Sequence, residues 1–135
     1  MIKNNSFVIQ KYIESPLLIN KRKFDIRVWV LATQEGEAYF FREGYLRTSS
    51  QEYSTDKAAL SNEYIHLTNN AVQKNAPDYG NFEDGNQLSF AYFRDYLSKH
   101  HPACDFDALI LPKIKYYAAL AMASVRYTHI INNSV

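Results

Sequence analysis

Apolar and polar residues alternate most regularly from Phe24 to Thr33, where Phe24, Ile26, Val28 and Val30 fall on one side of an extended chain and Asp25, Arg27 and Trp29 on the other. That two-residue period predicts a strand with one face in a core. Phe7 to Ile13 (FVIQKYI) is an apolar run closed by Glu14-Ser15-Pro16 and reads as a buried strand, with Leu17 to Ile19 as a short continuation. Asn20-Lys21-Arg22-Lys23 reads as a basic turn. Gln34-Glu35-Gly36 then turns the chain into a partner strand over Glu37 to Arg42, and Glu43-Gly44 leads into a short strand from Tyr45 to Thr48. The first half therefore predicts an antiparallel meander.

From Ser49 to Asn86 the polar, turn-rich composition predicts a long excursion over the surface, with one helical turn around Asp56 to Leu60. Two helices follow. The first is expected from Gln87 to His100, capped by Asn86, with Leu88, Tyr92, Phe93, Tyr96 and Leu97 as its apolar stripe. The second is expected to begin near Leu111 with Pro112 in its first turn and earlier cap chemistry from Asp105 or Asp107. Ile114, Tyr117, Ala118, Ala121, Met122 and Val125 share its face, which suits packing on a sheet. The fold class expected is α/β (α+β), a mostly antiparallel sheet with helices packed on one face, forming one domain over residues 1–135.

Composition narrows the class of protein. With 135 residues, 47% hydrophobic and 21% charged, the chain can bury a single core, since a domain near this size removes roughly 70% of its unfolded surface from water. A net charge of +1 gives no global field for nucleic acid, so any acidic partner must be recognised by local Lys and Arg. Cys104 is the only cysteine, which excludes a disulfide framework and a Cys-rich metal site; it reads as a small buried residue rather than a nucleophile paired with His100 or His101. No apolar run reaches the ~20 residues of a membrane span. Because Met1 to Ser6 is polar rather than signal-like, a soluble intracellular protein without a membrane partner is expected. Asp78 to Gly85 lacks the ligand spacing of an EF-hand, and His129 has no companion at metal spacing.

Four groups carry possible chemistry. Lys23, Asp25 and Arg27 alternate on one strand face, where cations would neutralise phosphate oxygens and the carboxylate would accept from a hydroxyl; a solvated face with a cross-strand ion pair is the alternative. Gln10, Lys11, Tyr12 and Ile13 form an extended stretch whose backbone could read adenine, or an ordinary strand. Arg47 offers a fork for a carboxylate or phosphoryl group, while Thr48-Ser49-Ser50 behind it equally suits a turn. His66 to Lys74 (HLTNNAVQK) sets hydroxyl, amide and ammonium groups in a tight run, consistent with phosphate binding or with an Asx or Ser/Thr turn.

In order and wording these segments resemble the tubulin tyrosine ligase-like family. The resemblance rests on VIQKYIESPLLI at Val8 to Ile19, RKFDIRVWVL at Arg22 to Leu31, REGYLRTSS at Arg42 to Ser50 and IHLTNNAVQK at Ile65 to Lys74. It implies a partial ATP-grasp fold and a ligase that activates a carboxylate with ATP as an acyl-phosphate, which an amine then attacks. It further implies that Gln10, Lys11, Tyr12 and Ile13 hold adenine, that Lys23, Asp25, Thr68 and Asn69 contact the nucleotide, and that Arg27 and Arg47 face the reaction centre. Arg47, Asn70 and Lys74 would meet substrate, Arg47 through the carboxylate of a free amino acid. The expected partner is the acidic C-terminal tail of tubulin or microtubules, drawn to basic residues such as Lys21, Arg22 and Lys74. The expected setting is cytoplasmic, at microtubules or the cilium.

Asn69 to Lys74 and Ile110-Leu111-Pro112 are worded more like the glycylating members, whereas YGNFEDGN also resembles the tyrosine ligase. Glycine addition is therefore the expectation, with glutamylation or tyrosination as alternatives and a non-catalytic nucleotide- or microtubule-binding module as a reading of another class. The family's Mg2+ ligands, an Asp and a Glu-x-Asn motif, are expected beyond the C-terminus, and its phosphate-covering lysine segment before Met1. A fragment inactive by itself is the corresponding expectation.

Overall fold

The structure is a computed structural model that describes residues 7–35 and 37–132, with side chains as far as Ser124. The readings made for Met1 to Ser6, for Gly36 in its turn and for the Val125 and His129 side chains lie outside the described residues.

The regular alternation after Arg22 does form a strand, and its parity decides what lies on each side. Strand β1 (Leu18–Ile19) turns tightly into β2 (Arg22–Arg27) through Asn20 and Lys21, both with positive φ (48° and 61°), as a two-residue hairpin requires. β2 pairs antiparallel with β5 (Tyr45–Glu52), and β5 pairs with β6 (Gln87–Ser89), giving a four-stranded sheet in the order β1-β2-β5-β6. The long strand expected from Phe24 to Thr33 is broken after Arg27. There the chain exchanges partners, and β3 (Val30–Ala32) forms a separate antiparallel hairpin with β4 (Ala38–Phe40). Gly44 sits at the break with no room for a side chain, because a Cβ would lie 2.5 Å from both the Arg27 carbonyl oxygen and Phe90 Cζ.

The apolar parity of β2 and β5 faces helix α3 (Phe90–His100). Phe90, Phe93 and Leu97 are buried at helical spacing with Ile19, Leu46 and Phe106, while Phe24, Ile26, Val28 and Leu88 border them. Phe24 meets Phe93 edge-on at 5.3 Å between centroids, and the Tyr96 hydroxyl donates to the Leu18 carbonyl at 3.1 Å. Burial of each such Phe stabilises the fold by about 1.5–3 kcal/mol. The helix starts three residues later than its stripe suggests. Ser89 accepts from the Tyr92 N–H at 3.1 Å as the cap, and Leu88 belongs to a strand that happens to continue the helical spacing.

A π turn at Phe106–Ile110, capped by Asp105 accepting from the Ala108 N–H at 2.7 Å, leads into α4 (Leu111–Asn132). α4 begins at Leu111 and so carries Pro112 in its first turn, as expected, directly after the π turn. Pro112 has no N–H to give and its ring crowds the carbonyl four residues back, so the wider turn before it accommodates both demands. Among the described side chains of the stripe expected on α4, Ile114, Ala118 and Met122 are half-buried and Tyr117 is 65% exposed.

The Ser49 to Asn86 excursion is not a surface loop. Ser49 and Ser50 extend β5 and are buried. The opposite sheet face carries two one-turn helices, α1 (Glu63–His66) and α2 (Asn70–Gln73), each capped by an Asn side chain at Asn62 and Asn69. Buried Gln73 ties them down, accepting from the Ser50 N–H at 2.8 Å and donating to the Tyr64 and Leu67 carbonyls. Phe7 to Ile13, expected as a buried strand, is instead open: Phe7, Val8 and Ile9 are more than 80% exposed, and no strand among the described residues runs beside it.

Candidate functional site

The polar parity of β2 puts Lys23, Asp25 and Arg27 on the face covered by the 66–68 segment. Arg47 stands directly opposite Asp25 across the β2–β5 ladder. Its guanidinium grips that carboxylate with two parallel bonds, Nε to Oδ1 at 2.8 Å and Nη2 to Oδ2 at 2.7 Å. The Thr68 hydroxyl donates to the same Oδ2 at 2.6 Å. Hydrogen bonding to Asp25 raises the Arg47 pKa above its ordinary value, so the group is a permanent cation. Side-chain exposures of 24% for Arg47 and 36% for Asp25 leave the cluster open to solvent, with further Nη donors available.

Lys23 lies on the same face. Its ammonium donates to the Tyr12 hydroxyl at 3.0 Å and the His66 carbonyl at 2.9 Å, and stands 4.6 Å from the centroid of the Tyr12 ring. His66 contacts Tyr12 Oη through Nδ1 at 2.9 Å and the Ala59 carbonyl through Nε2 at 3.1 Å. Arg27 is exposed, and no side-chain partner is seen for it among the described residues.

The other sequence candidates separate. Asn69 is spent on capping α2, accepting from the Ala71 N–H at 3.0 Å. Asn70 accepts from the Tyr79 hydroxyl at 2.7 Å, and Lys74 ends α2 with an exposed side chain. Gln10, Lys11 and Ile13 are exposed on the open segment, from which Tyr12 alone reaches the Lys23 group.

Arg22 corrects the sequence reading outright. Expected in a solvent-facing basic turn and as an attractor for an acidic tail, it is 1% exposed on the core face. It holds Glu83 through Nη1 at 2.8 Å and Nη2 at 2.6 Å, reaches Thr48 Oγ1 at 3.2 Å and the Ser49 carbonyl at 3.0 Å, and lies 4.2 Å from the centroid of Phe82. A cation so enclosed cannot meet a tail. His66 heads the HLTNNAVQK run without a role of its own in the sequence, and only the fold shows it wedged between Tyr12 and Ala59.

Among the described residues no helix is long and apolar enough to cross a membrane, and no three His, Cys, Asp or Glu side chains gather as a metal site.

An antiparallel sheet with helices packed on it and a guanidinium–carboxylate–hydroxyl cluster on one face gives a mixed α/β fold, the class of the ATP-grasp-like family that the chain matches. The chain belongs to the tubulin-tyrosine ligase family, whose family model matches residues 1–135. It is 39% identical over 124 residues to tubulin glycylase 3B of Tetrahymena thermophila, covering 90% of this chain and 10% of that protein. It is 40% identical over 126 residues to human protein monoglycylase TTLL8, covering 89% and 14% respectively. Mouse probable tubulin polyglutamylase TTLL9 is 41% identical over 100 residues, or 72% of this chain and 21% of that protein. The chain thus spans about a tenth to a fifth of the length of these relatives.

Proposed function

We propose that these residues form the nucleotide- and amino-acid-facing surface of an ATP-dependent ligase that adds glycine to acidic tubulin tails. The observation carrying this reading is the shared face on which Arg47 and Thr68 grip Asp25, Lys23 is held separately by Tyr12 and His66, and Arg27 stands open. Two glycylating relatives that match about nine-tenths of the chain favour glycine, while the polyglutamylase match makes glutamate the competing donor.

The donor set fits a nucleotide. Lys23 has an ammonium N–H left for an anionic oxygen, Thr68 and Asp25 offer hydroxyl and carboxylate oxygens beside it, and the open backbone of Gln10 to Ile13 provides amide and carbonyl groups of the kind that read adenine. ATP, when bound, supplies the phosphoryl group that activates a carboxylate. Arg27 and the free Nη donors of Arg47 are suited to hold the carboxylate of the incoming amino acid and to offset charge at the reacting centre. Fixing these groups on a paired strand orients them before substrate arrives. The described residues do not form a magnesium site, since the cluster holds the single carboxylate of Asp25 and no three His, Cys, Asp or Glu side chains gather.

The test is incorporation of isotope-labelled glycine, glutamate or tyrosine into tubulin by the protein, with and without ATP. ATP-dependent glycine labelling supports the reading. Glutamate or tyrosine labelling would replace the donor, and tubulin co-sedimentation without any labelling would leave a non-catalytic binding module.

A further inference from the structure

Lys23 is anchored by His66 and by the hydroxyl of Tyr12, groups for which the reading above has no task, and the polarity of their hydrogen bonds assigns one. The Ala59 carbonyl oxygen can only accept, so its 3.1 Å contact puts the imidazole proton of His66 on Nε2. In the neutral ring Nδ1 is then a lone-pair acceptor. The Tyr12 hydroxyl, 2.9 Å away, must donate to it. With its proton directed to His66, the Tyr12 oxygen turns its lone pairs toward Lys23, whose ammonium donates to it at 3.0 Å. A second ammonium N–H goes to the His66 carbonyl at 2.9 Å. The imidazole is further boxed by edge contacts with the rings of Tyr12 and Tyr53, each at 5.7 Å, and Tyr53 is fixed through its hydroxyl on the Glu14 carbonyl at 2.9 Å.

We infer that His66 and Tyr12 are positioning residues for Lys23: the tautomer of His66 sets the direction of the Tyr12 hydroxyl, which holds the ammonium with one N–H turned to an anionic ligand. This rests on the reading of Lys23 as a nucleotide contact. A free lysine is a flexible point charge that must be ordered when its ligand binds. Here three segments distant in sequence order it in advance. The chain of donors runs one way only, so removing the Tyr12 hydroxyl or the His66 ring loosens one of the two bonds on the ammonium without removing its charge, and the His66 carbonyl keeps the other.

Calorimetric titration of the protein with ATP tests this, with circular dichroism confirming that each variant is folded. Tyr12→Phe and His66→Ala are each expected to weaken ATP binding roughly five- to tenfold, the worth of one hydrogen bond. His66→Asn, whose carboxamide oxygen offers an acceptor near the Nδ1 position, should recover most of the His66→Ala loss. In a Lys23→Met background Tyr12→Phe should cost nothing further. Equal losses from Tyr12→Phe with and without Lys23, or no recovery by His66→Asn, would reduce both residues to scaffolding and overturn the inference alone. An ATP affinity indifferent to Lys23→Met would overturn the nucleotide reading, and the inference with it.

Discussion

Arg22 and Arg47 stand on adjacent strands, and each holds a carboxylate through two parallel N–H to O bonds, but on opposite faces of the sheet. The Arg22 side chain is 1% exposed and that of Glu83 13%; those of Arg47 and Asp25 are 24% and 36%. Burial makes the first pair a structural commitment. Its charges have left water, and Thr48, the Ser49 carbonyl and Phe82 replace only part of the lost solvation, with Nε unpartnered among the described residues. The second pair keeps donors and water, so it can exchange partners when a ligand carboxylate arrives. The same side-chain chemistry thus serves folding on one face and is available for binding on the other, and the parity of a strand position decides which.

The largest effect that would sharpen this contrast is loss of the buried carboxylate. Glu83→Ala strands a guanidinium in the core face and should lower unfolding free energy by about 3–5 kcal/mol, read as a fall in the urea midpoint with little change of slope. The damage should spread along the 78–86 segment, because Glu83 also meets the Thr48 hydroxyl and Asn86 holds the Thr48 carbonyl at 3.1 Å. A loss below about 1 kcal/mol, the scale of a surface pair, would erase the distinction.

Sequence made the open pair far easier to see than the closed one. Asp25 and its neighbours alternate with apolar residues, so their common face follows from strand geometry alone. Arg22 sits in a run of Lys21-Arg22-Lys23 that locally means solvent, and its partner is 61 residues away. Ser49 and Ser50 were hidden for a related reason. Their hydroxyls look like loop chemistry until Asn86 and the β5 backbone satisfy them, Asn86 Nδ2 donating to Ser50 Oγ at 2.9 Å and Ser49 Oγ donating to the Gln51 carbonyl at 2.9 Å. Phe7 to Ile13 errs the other way: apolar content suggested a strand, but strands are made by partners, and none lies beside it among the described residues.

The open pair should show the reverse balance of stability and function. Arg47→Ala is expected to cost no more than about 1 kcal/mol in urea unfolding, a difference that shrinks further in salt. Amino-acid transfer to tubulin should nevertheless fall on the order of 100-fold, as when a donor at a reacting centre is removed. Arg47→Lys keeps the charge but loses the planar fork, so it should recover stability rather than transfer. If Arg47→Ala unfolds the protein as severely as Glu83→Ala, the open face is structural too and the functional half of the contrast fails.

A third forked pair calibrates the exposed end of the scale. Arg94 on α3 holds Asp107 through Nε at 2.7 Å and Nη2 at 2.9 Å, with side chains 42% and 55% exposed. The hydrogen bond from Arg94 keeps the Asp107 pKa below its ordinary 3.8. A depressed folded-state pKa contributes stability above the unfolded value and loses it as pH falls through the folded one, because the unfolded chain takes up the proton first. Asp107→Asn should therefore remove a contribution at neutral pH that is small because the pair is exposed, and slightly flatten the fall in stability below about pH 4, measured by urea unfolding across that range. A neutral-pH loss comparable to that of Glu83→Ala would mean that fork geometry, rather than removal from water, separates the three pairs.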